Sequence, residues 1–414
     1  MDDATSEGAG ARAADEVPAR ALYGTYAAGL TANSVTMMLK VVVPLWALHL
    51  NMSPTMIGVA IGAAAVLPLI LAIHGGVLMD RLGTRRVTLF FAFLTTMLIP
   101  LYPAMPLFGA VVILQMLTGL TTNLNWMGVQ TLICQFTKGD TAAIGRFSFW
   151  SRLGLLGAPI LIGVMWDLFG PWGAFLVTGA CGGLTLAALF LMGDPQTQPG
   201  PVAEAPALGA GALTPRLSDY ARAFALISIP AVAFIVVATF LRISSSGIQT
   251  SFYVVYLDGI GLTGTLIGVL IAASEFSGSF GALLAGPMVK IMRPHWVLLL
   301  FAAASIFFIS ITPVLGGILV LLFIASALRG GCQGLSQPVM FSILSRAVGA
   351  NEQGMSIGLR TTANRLATMI VPVIMGALAD TVGLEASFII VGGFLVLSCA
   401  LLGLIIRRIP GFST

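Results

Sequence analysis

Charged residues are scarce in this sequence. Asp, Glu, Lys and Arg together make up 9% of its 414 residues, whereas they make up about a quarter of a typical globular chain. Hydrophobic residues make up 57%, and the mean hydropathy is +0.99. A water-soluble domain cannot bury that much apolar surface, so the composition excludes a soluble globular fold and favours a protein embedded in a membrane.

Residues that serve catalysis and metal binding are also few. The histidines and cysteines are scattered, without the spacing of a metal site or of a disulfide framework; they are His49, His74, His295, Cys134, Cys181, Cys332 and Cys399. The nucleotide-binding motif G-x-x-x-x-G-K-[ST] is missing from the sequence. These absences disfavour a membrane enzyme and a non-transporting receptor, and the sequence predicts neither a metal nor a cofactor.

Long apolar segments fill the chain from one end to the other. A helix that crosses a bilayer needs about 20 mostly apolar residues, and we identify twelve such segments: 21–49, 55–79, 86–105, 107–134, 143–166, 172–192, 223–256, 264–289, 296–313, 315–345, 354–379 and 385–407. Because the connections are short, consecutive helices are expected to be antiparallel neighbours. The sequence therefore predicts an all-α integral membrane protein with twelve transmembrane helices.

The Lys and Arg residues outside these segments lie on one side of the predicted membrane. They occupy the loops that follow even-numbered segments, whereas the loops that follow odd-numbered segments hold none. Cytoplasmic loops carry the excess of Lys and Arg, so both termini are predicted to be cytoplasmic, with tails at 1–20 (disordered) and 409–414. The basic pI of about 9.0 then reflects membrane topology and not binding to nucleic acid. A bacterial inner membrane is the predicted location.

The chain consists of two related halves. Arg152 and Asp167 recur as Arg365 and Asp380, since 365 − 152 and 380 − 167 both give 213. The halves are 21–192 and 221–408, each with six predicted helices, and the polar segment 193–220 between them is predicted to be a cytoplasmic linker. Parallel repeats of six helices are a known transporter architecture, with the binding site at the repeat interface.

One short stretch concentrates charge between the second and third predicted helices. The residues GVLMDRLGTRR place glycine, aspartate and arginine at Gly76, Asp80, Arg81, Gly83, Arg85 and Arg86. This stretch resembles the signature loop G-x-L-x-D-R-x-G-x-R-R of the major facilitator superfamily. The resemblance implies the fold of that family, two six-helix halves that alternate access to a central site, and a monomer. It also implies that this loop is a cytoplasmic latch of the outward-open state.

Six charged residues fall near the middle of predicted helices, where charge is costly and usually faces a cavity or another charge. Five are cations and one is a carboxylate: Lys40, Arg152, Arg242, Glu275, Arg329 and Arg365. Because the cations outnumber the carboxylate, we expect a bound anion to balance part of the positive charge. Arg152 and Arg365, which recur in the two halves, are expected either to brace helix packing or to line the site. Arg329 is expected either to order the tenth helix or to bind the substrate.

Polar residues at helical spacing mark candidate substrate-binding faces. They lie on the first, fourth, seventh and tenth predicted helices, which line the central path in the family that the chain resembles. The candidate substrate-binding residues are Asn33, Thr36, Lys40, Asn123, Trp126, Gln130, Arg242, Gln249, Tyr253, Gln333 and Gln337.

Glu275 is the single carboxylate placed deep in a predicted helix. Burial opposes its ionisation and a nearby cation favours it, so Glu275 is the candidate proton-coupling residue; a permanent salt bridge to Arg242 or Lys40 is the alternative. The sequence thus predicts a secondary transporter whose partners are the lipid bilayer, protons and a small organic anion. The competing hypothesis is a proton-antiport exporter of drugs or hydrophobic metabolites, suggested by small residues around Pro159 on the fifth helix.

Overall fold

The computed structural model describes residues 18–137, 140–192, 225–347 and 353–408, and within these ranges it contains helices and no strand. The predicted linker 193–220, the predicted tail 409–414 and residues 1–17 of the predicted N-terminal tail lie outside the described residues. Residues 19 and 20, which we assigned to that tail, already belong to the first helix.

The helices of the two halves follow one another with short connections. In the N-terminal half they are α1 (Ala19–His49), α2 (Pro54–Ala63), α3 (Val66–Leu82), α4 (Thr84–Leu98), α5 (Leu101–Ala104), α6 (Phe108–Phe136) and α7 (Thr141–Leu191). In the C-terminal half they are α8 (Pro230–Ile248), α9 (Val254–Gly259), α10 (Gly264–Leu283), α11 (Ala285–Ile291), α12 (Pro294–Ser310), α13 (Leu319–Ala347), α14 (Gln353–Val382) and α15 (Leu384–Ile406). A π-helical turn, Gln249–Tyr253, joins α8 to α9.

Each of the twelve predicted segments coincides with helical structure in the described residues. Nine helices there are long and apolar enough to cross a membrane, and a bent pair formed by α11 and α12 makes a tenth. Helix α7 has 51 residues, which is about 75 Å at 1.5 Å per residue and too long for one crossing of a core about 30 Å thick. It breaks at Gly170, whose φ of 64° favours glycine, so α7 comprises two crossings.

Among the described residues, the hydrophobic core joins the two halves at one end of the helix bundle. The largest cluster of buried side chains contains residues of both halves, such as Trp46, Phe175, Phe252 and Phe388. At the other end, one cluster comes from the N-terminal half alone and another from the C-terminal half alone. We call the joined end, which carries residues 50–53, 105–107, 260–263 and 312–318, the closed end of the bundle.

Glycines bring the two halves together near the closed end. A Cβ atom at Gly58 on α2 would collide with the carbonyl oxygen of Pro372 on α14. A Cβ atom at Gly268 on α10 would collide with the carbonyl oxygen of Pro159 on α7. These contacts are related by the repeat, since 268 − 58 is 210 and 372 − 159 is 213. The same close packing thus seals both sides of the interface.

Close packing inside the C-terminal half leads to a testable prediction. A Cβ atom at Gly281 would collide with the carbonyl oxygen of Gly331, whereas a Cβ atom at Gly393 would meet open space. We expect Gly281→Ala to destabilise the protein by about 1–3 kcal/mol because the two helices must separate. Gly393→Ala is the matched control and is expected to be neutral. Thermal unfolding in detergent measures both, and equal melting temperatures would contradict the packing argument.

Candidate functional site

One cavity between the halves has a volume of about 310 Å³ and lies between α1, α6 and α14. We call it the Lys40 chamber. Of the predicted site residues it is lined by Asn33, Thr36, Lys40, Asn123, Trp126 and Arg365. The chamber is also lined by polar residues that are not among the predicted site residues: Gln115, Thr118, Thr122, Thr250 and Thr368. Three of the four helices predicted to face the path, or segments adjoining them, therefore contribute to this chamber.

The cations of the Lys40 chamber come from both halves. Asn33, Thr36 and Lys40 share one face of α1, as their spacing predicts, and the side chain of Lys40 is exposed to the chamber. The charge of Lys40 is attracted by the carboxylate of Glu275 and repelled by the guanidinium of Arg365. Arg365 on α14 donates a hydrogen bond from Nη2 to Asn123 Oδ1, and its buried Nε has no hydrogen-bond partner among the described residues.

An aromatic wall bounds the same chamber. Trp126 stacks on Phe147, with ring centroids 5.9 Å apart and an angle of 18° between the planes. Asn33 is held nearby by a hydrogen bond from Nδ2 to the carbonyl oxygen of Ser151, at 3.2 Å. The chamber therefore combines two cations and several hydroxyl and amide groups with one flat apolar surface.

The second cavity has a volume of about 360 Å³ and lies mainly in the C-terminal half. We call it the Arg242 chamber, and its charged and amide lining residues are Arg152, Arg242, Glu275, Arg329, Gln333 and Gln337. Arg242 is 5% exposed and is held by α13. Its Nε donates to Ser336 Oγ at 2.8 Å, and its Nη2 donates to the carbonyl oxygen of Gln333 at 3.1 Å and to Gln337 Oε1 at 3.5 Å.

Two further arginines of the Arg242 chamber differ in burial. Arg329 is 2% exposed. Its Nη2 donates to Ser274 Oγ at 2.5 Å, while its Nε and Nη1 have no hydrogen-bond partner among the described residues. Arg152 comes from the N-terminal half, is exposed, and donates from Nη1 to Ser279 Oγ at 3.4 Å. The chamber thus gathers three guanidinium groups from α7, α8 and α13.

Glu275 lies where the two chambers approach each other. It lines the Arg242 chamber and also a void of about 20 Å³ that Lys40 and Gln249 share. Its charge acts on Lys40, Arg242 and Arg329. Gln249 is 2% exposed and its Nε2 has no partner in the described part of the chain. Lys40, Gln249 and Glu275 therefore form a septum, which is the name we use for these three residues.

Three predicted substrate-binding residues line neither chamber: Gln130, Gln249 and Tyr253. Gln130 is exposed and lines neither cavity. Tyr253 is 2% exposed and packs in the core cluster of the closed end. Tyr253 was placed on the face of Gln249 by counting four residues, but both belong to a π-helical turn, in which hydrogen bonds span five residues and the faces shift.

Arg360 is a charged residue near the site that the sequence analysis missed. Its guanidinium lies 4.5 Å from the ring centroid of Phe341, which lines the Arg242 chamber, and its charge acts on Arg242. It lies within the eleventh predicted segment, 354–379. The signal that could have identified it is a charge inside a predicted transmembrane segment.

Two aspartates related by the repeat cap helices of the opposite half at the closed end. Asp167 accepts hydrogen bonds from Gly264 N and Thr265 N, both at 2.7 Å, and from Thr265 Oγ1 at 2.6 Å. Asp380 accepts one from Thr55 N at 2.9 Å. Backbone N–H groups at a helix start lack intrahelical partners and favour negative charge. These contacts, which we call the two aspartate caps, join α10 and α2 to the other half.

The charged signature stretch is more helical than expected. Helix α3 continues to Leu82 and α4 begins at Thr84, so the connection is Gly83 alone, with φ of 88°. Arg85 donates hydrogen bonds to the carbonyl oxygens of Leu189 and Phe190, each at 3.2 Å, and so caps the end of α7. Arg81 and Arg86 are exposed. The side-chain surroundings of Gly76 and Asp80 lie outside the described part, so the latch remains a prediction.

Comparisons with known proteins agree with this architecture. The sequence profile described as Major Facilitator Superfamily matches residues 25–254 and again 235–413, one match for each half. Comparison with curated proteins gives no match.

Solved transporter structures have the same fold. The nucleoside transporter NupG is 11% identical and superposes with a TM-score of 0.76 over 94% of this chain and 100% of its own. An inward-facing, unoccupied bacterial homologue of the human lysosomal transporter Spinster is 15% identical (TM-score 0.73; 94% and 97% covered). A POT family transporter in complex with 5-aminolevulinic acid is 15% identical (TM-score 0.72; 95% and 97% covered). With a profile match in two repeats over nearly its whole length, the chain belongs to the Major Facilitator Superfamily and is a multi-pass membrane transporter.

Proposed function

We propose that the protein is a secondary active transporter that moves a small organic anion by alternating access, with protons as the coupling ion. The observation that carries this proposal is the charge at the centre of the molecule. Five cationic side chains line the two chambers, while Glu275 is the one carboxylate among their described lining residues. A cavity with this excess of positive charge and little bulk water attracts anions. The wall of Trp126 and Phe147 suits an apolar or aromatic portion of the substrate.

Alternating access is supported by the asymmetry of the core. The halves share one hydrophobic cluster at the closed end and have separate clusters at the opposite end. If the Lys and Arg distribution orients the chain as in other membrane proteins, the closed end faces outward and both termini face the cytoplasm. The structure then corresponds to an inward-facing state of a monomer in a bacterial inner membrane. Glu275 is the proposed proton carrier because it is the one carboxylate among the described lining residues of the two chambers.

The test of this proposal is ligand-induced stabilisation of the purified full chain. A ligand that binds the native state raises the melting temperature by mass action. We expect organic anions to stabilise the wild-type protein, and Arg242→Gln to weaken that binding by about tenfold or more because a buried charged contact is lost. Arg346→Gln, at an exposed position on α13 outside both chambers, is the control and should bind as the wild type does.

The competing function, export of drugs or hydrophobic metabolites, makes the opposite prediction in the same assay. Lipophilic cations and neutral compounds would stabilise the protein, and organic anions would not. That outcome would overturn the anion proposal and leave the cations of the chambers with structural roles. Uptake of the best anion into proteoliposomes, driven by a pH gradient, then tests proton coupling separately from binding.

A further inference from the structure

The Arg242 chamber is more strongly cationic than one carboxylate ligand requires. Arg152, Arg242 and Arg329 line it, and Glu275 is the only acid among its described lining residues. Glu275 also interacts electrostatically with Lys40, the other charged residue of the septum. Two positive charges therefore remain uncompensated in a cavity of about 360 Å³, and Arg360, which acts on Arg242, adds to them.

Arg329 is a buried cation of the chamber with donors left unpaired by the described residues. It is 2% exposed, and only its Nη2 has a hydrogen bond, to Ser274 Oγ. Its Nε and Nη1 have no partner among the described residues, although both are donors of a charged group in a place with little water. Leaving such donors unpaired is costly, and a carboxylate carries one negative charge, which leaves one of the two excess positive charges uncompensated.

Three guanidinium groups around one cavity favour a ligand with several negatively charged oxygens. The planar fork of arginine matches the oxygens of phosphate, and such pairs are often bidentate. A tetrahedral oxyanion with two negative charges offers oxygens in several directions and compensates both excess charges. We propose that the Arg242 chamber binds a doubly charged tetrahedral oxyanion group of the phosphate type, held by Arg152, Arg242 and Arg329. This inference rests on the proposed function, because it specifies the anion that the same transporter recognises.

The oxyanion group has two chemical sources. It is the phosphoryl group of an organic substrate, or it is free inorganic phosphate that is exchanged for the organic anion. The septum leaves only a void of about 20 Å³ between the two chambers, so the Arg242 chamber is separated from the Trp126 wall in this state. Both sources are compatible with that separation, because a phosphoryl group needs only one chamber and a free ion occupies it alone.

The first experiment measures binding of inorganic phosphate to the purified full chain, with sulfate as a second doubly charged oxyanion and acetate and chloride as comparison anions. We expect phosphate and sulfate to raise the melting temperature at concentrations about tenfold lower than acetate does, since each compensates two charges of the chamber. In Arg329→Gln the apparent affinity for phosphate should fall by about tenfold or more, whereas Arg346→Gln on the same helix should leave it unchanged.

Because Arg329 is buried, Arg329→Gln can fail to fold, and Arg152→Gln provides an independent test at an exposed position. We expect Arg152→Gln to weaken the binding of phosphate more than the binding of acetate. The inference would be overturned if phosphate binds equally well to the wild-type protein and to Arg152→Gln. It would also be overturned if phosphate does not stabilise the wild-type protein. If organic monocarboxylates still stabilise the protein in that case, the proposed function stands and only the oxyanion site fails. If no anion stabilises it, both fail.

Proteoliposomes distinguish the two sources. If free phosphate is a transported ion, labelled phosphate outside will exchange with unlabelled phosphate inside, and Arg152→Gln will slow the exchange. If the group belongs to the substrate, phosphate will stabilise the protein without exchanging, and organic phosphate monoesters will bind more tightly than phosphate. Either result supports the oxyanion site in the Arg242 chamber, and each identifies which of the two sources supplies its ligand.

Discussion

Replacing both Asp167 and Asp380 with asparagine is expected to open the closed end of the bundle. The two aspartate caps join the halves through four hydrogen bonds to backbone and hydroxyl donors. Asparagine keeps the size of the side chain, but it loses the negative charge and turns an NH₂ group toward N–H donors. The change therefore weakens contacts that form only when the halves meet at this end.

The expected size of this effect follows from the charge at a helix start. A carboxylate at a partly buried helix N-terminus contributes up to about 2 kcal/mol, so losing two caps shifts the balance between states by roughly 3 kcal/mol, or about a hundredfold. Spin labels at Leu107→Cys and Val314→Cys report the opening, because both positions are exposed at the closed end, one in each half. Their distance distribution should lengthen in the double variant.

Glu385→Gln is the matched control for the aspartate caps. It removes a carboxylate in the first turn of α15, at the same end of the bundle, and no hydrogen bond between the halves depends on it in the described residues. The control should retain the short distance. A double variant with the wild-type distance distribution would mean that glycine packing and the shared core hold the closed end without the caps.

Glu275→Gln is expected to separate anion binding from proton coupling. The substitution removes the one carboxylate among the described lining residues of the chambers, and with it the charge that acts on Lys40, Arg242 and Arg329. The site becomes more positive by one charge, so anions should bind about tenfold more tightly, a change of about 1.4 kcal/mol. Glutamine cannot exchange a proton at neutral pH, so a pH gradient should no longer drive uptake.

The two readouts of Glu275→Gln are a binding curve and an uptake rate in proteoliposomes. Exchange of labelled anion between equal pools needs no proton transfer and should persist in the variant, which shows that the protein is folded and active. Gradient-driven uptake equal to that of the wild type would remove Glu275 from the coupling mechanism. Weaker anion binding together with a lower melting temperature would instead make Glu275 a structural counter-charge, the alternative that the sequence analysis left open.

Much of the fold was accessible from the sequence because it depends on local patterns. Apolar length predicts helices, and each predicted segment falls on helical structure. The spacing of Asn33, Thr36 and Lys40 predicted a shared face, and all three line one cavity. The repeated positions of Asp167 and Asp380 were visible as a pattern, but their role was not. A cap across the halves depends on a helix start 97 residues away for Asp167 and 325 residues away for Asp380, which no local pattern encodes.

The sequence by itself determined that this chain is an integral membrane protein, that it is built from two related halves and that its apolar segments carry more cations than carboxylates. Those properties follow from composition, period and repetition along one dimension. Only the tertiary structure decided that the cations divide between two chambers, that Tyr253 leaves the face of Gln249 at a π-helical turn, and that Arg329 lacks partners for two of its donors. Each of these depends on distances between helices that are far apart in the chain, and those distances exist only once the helices have packed.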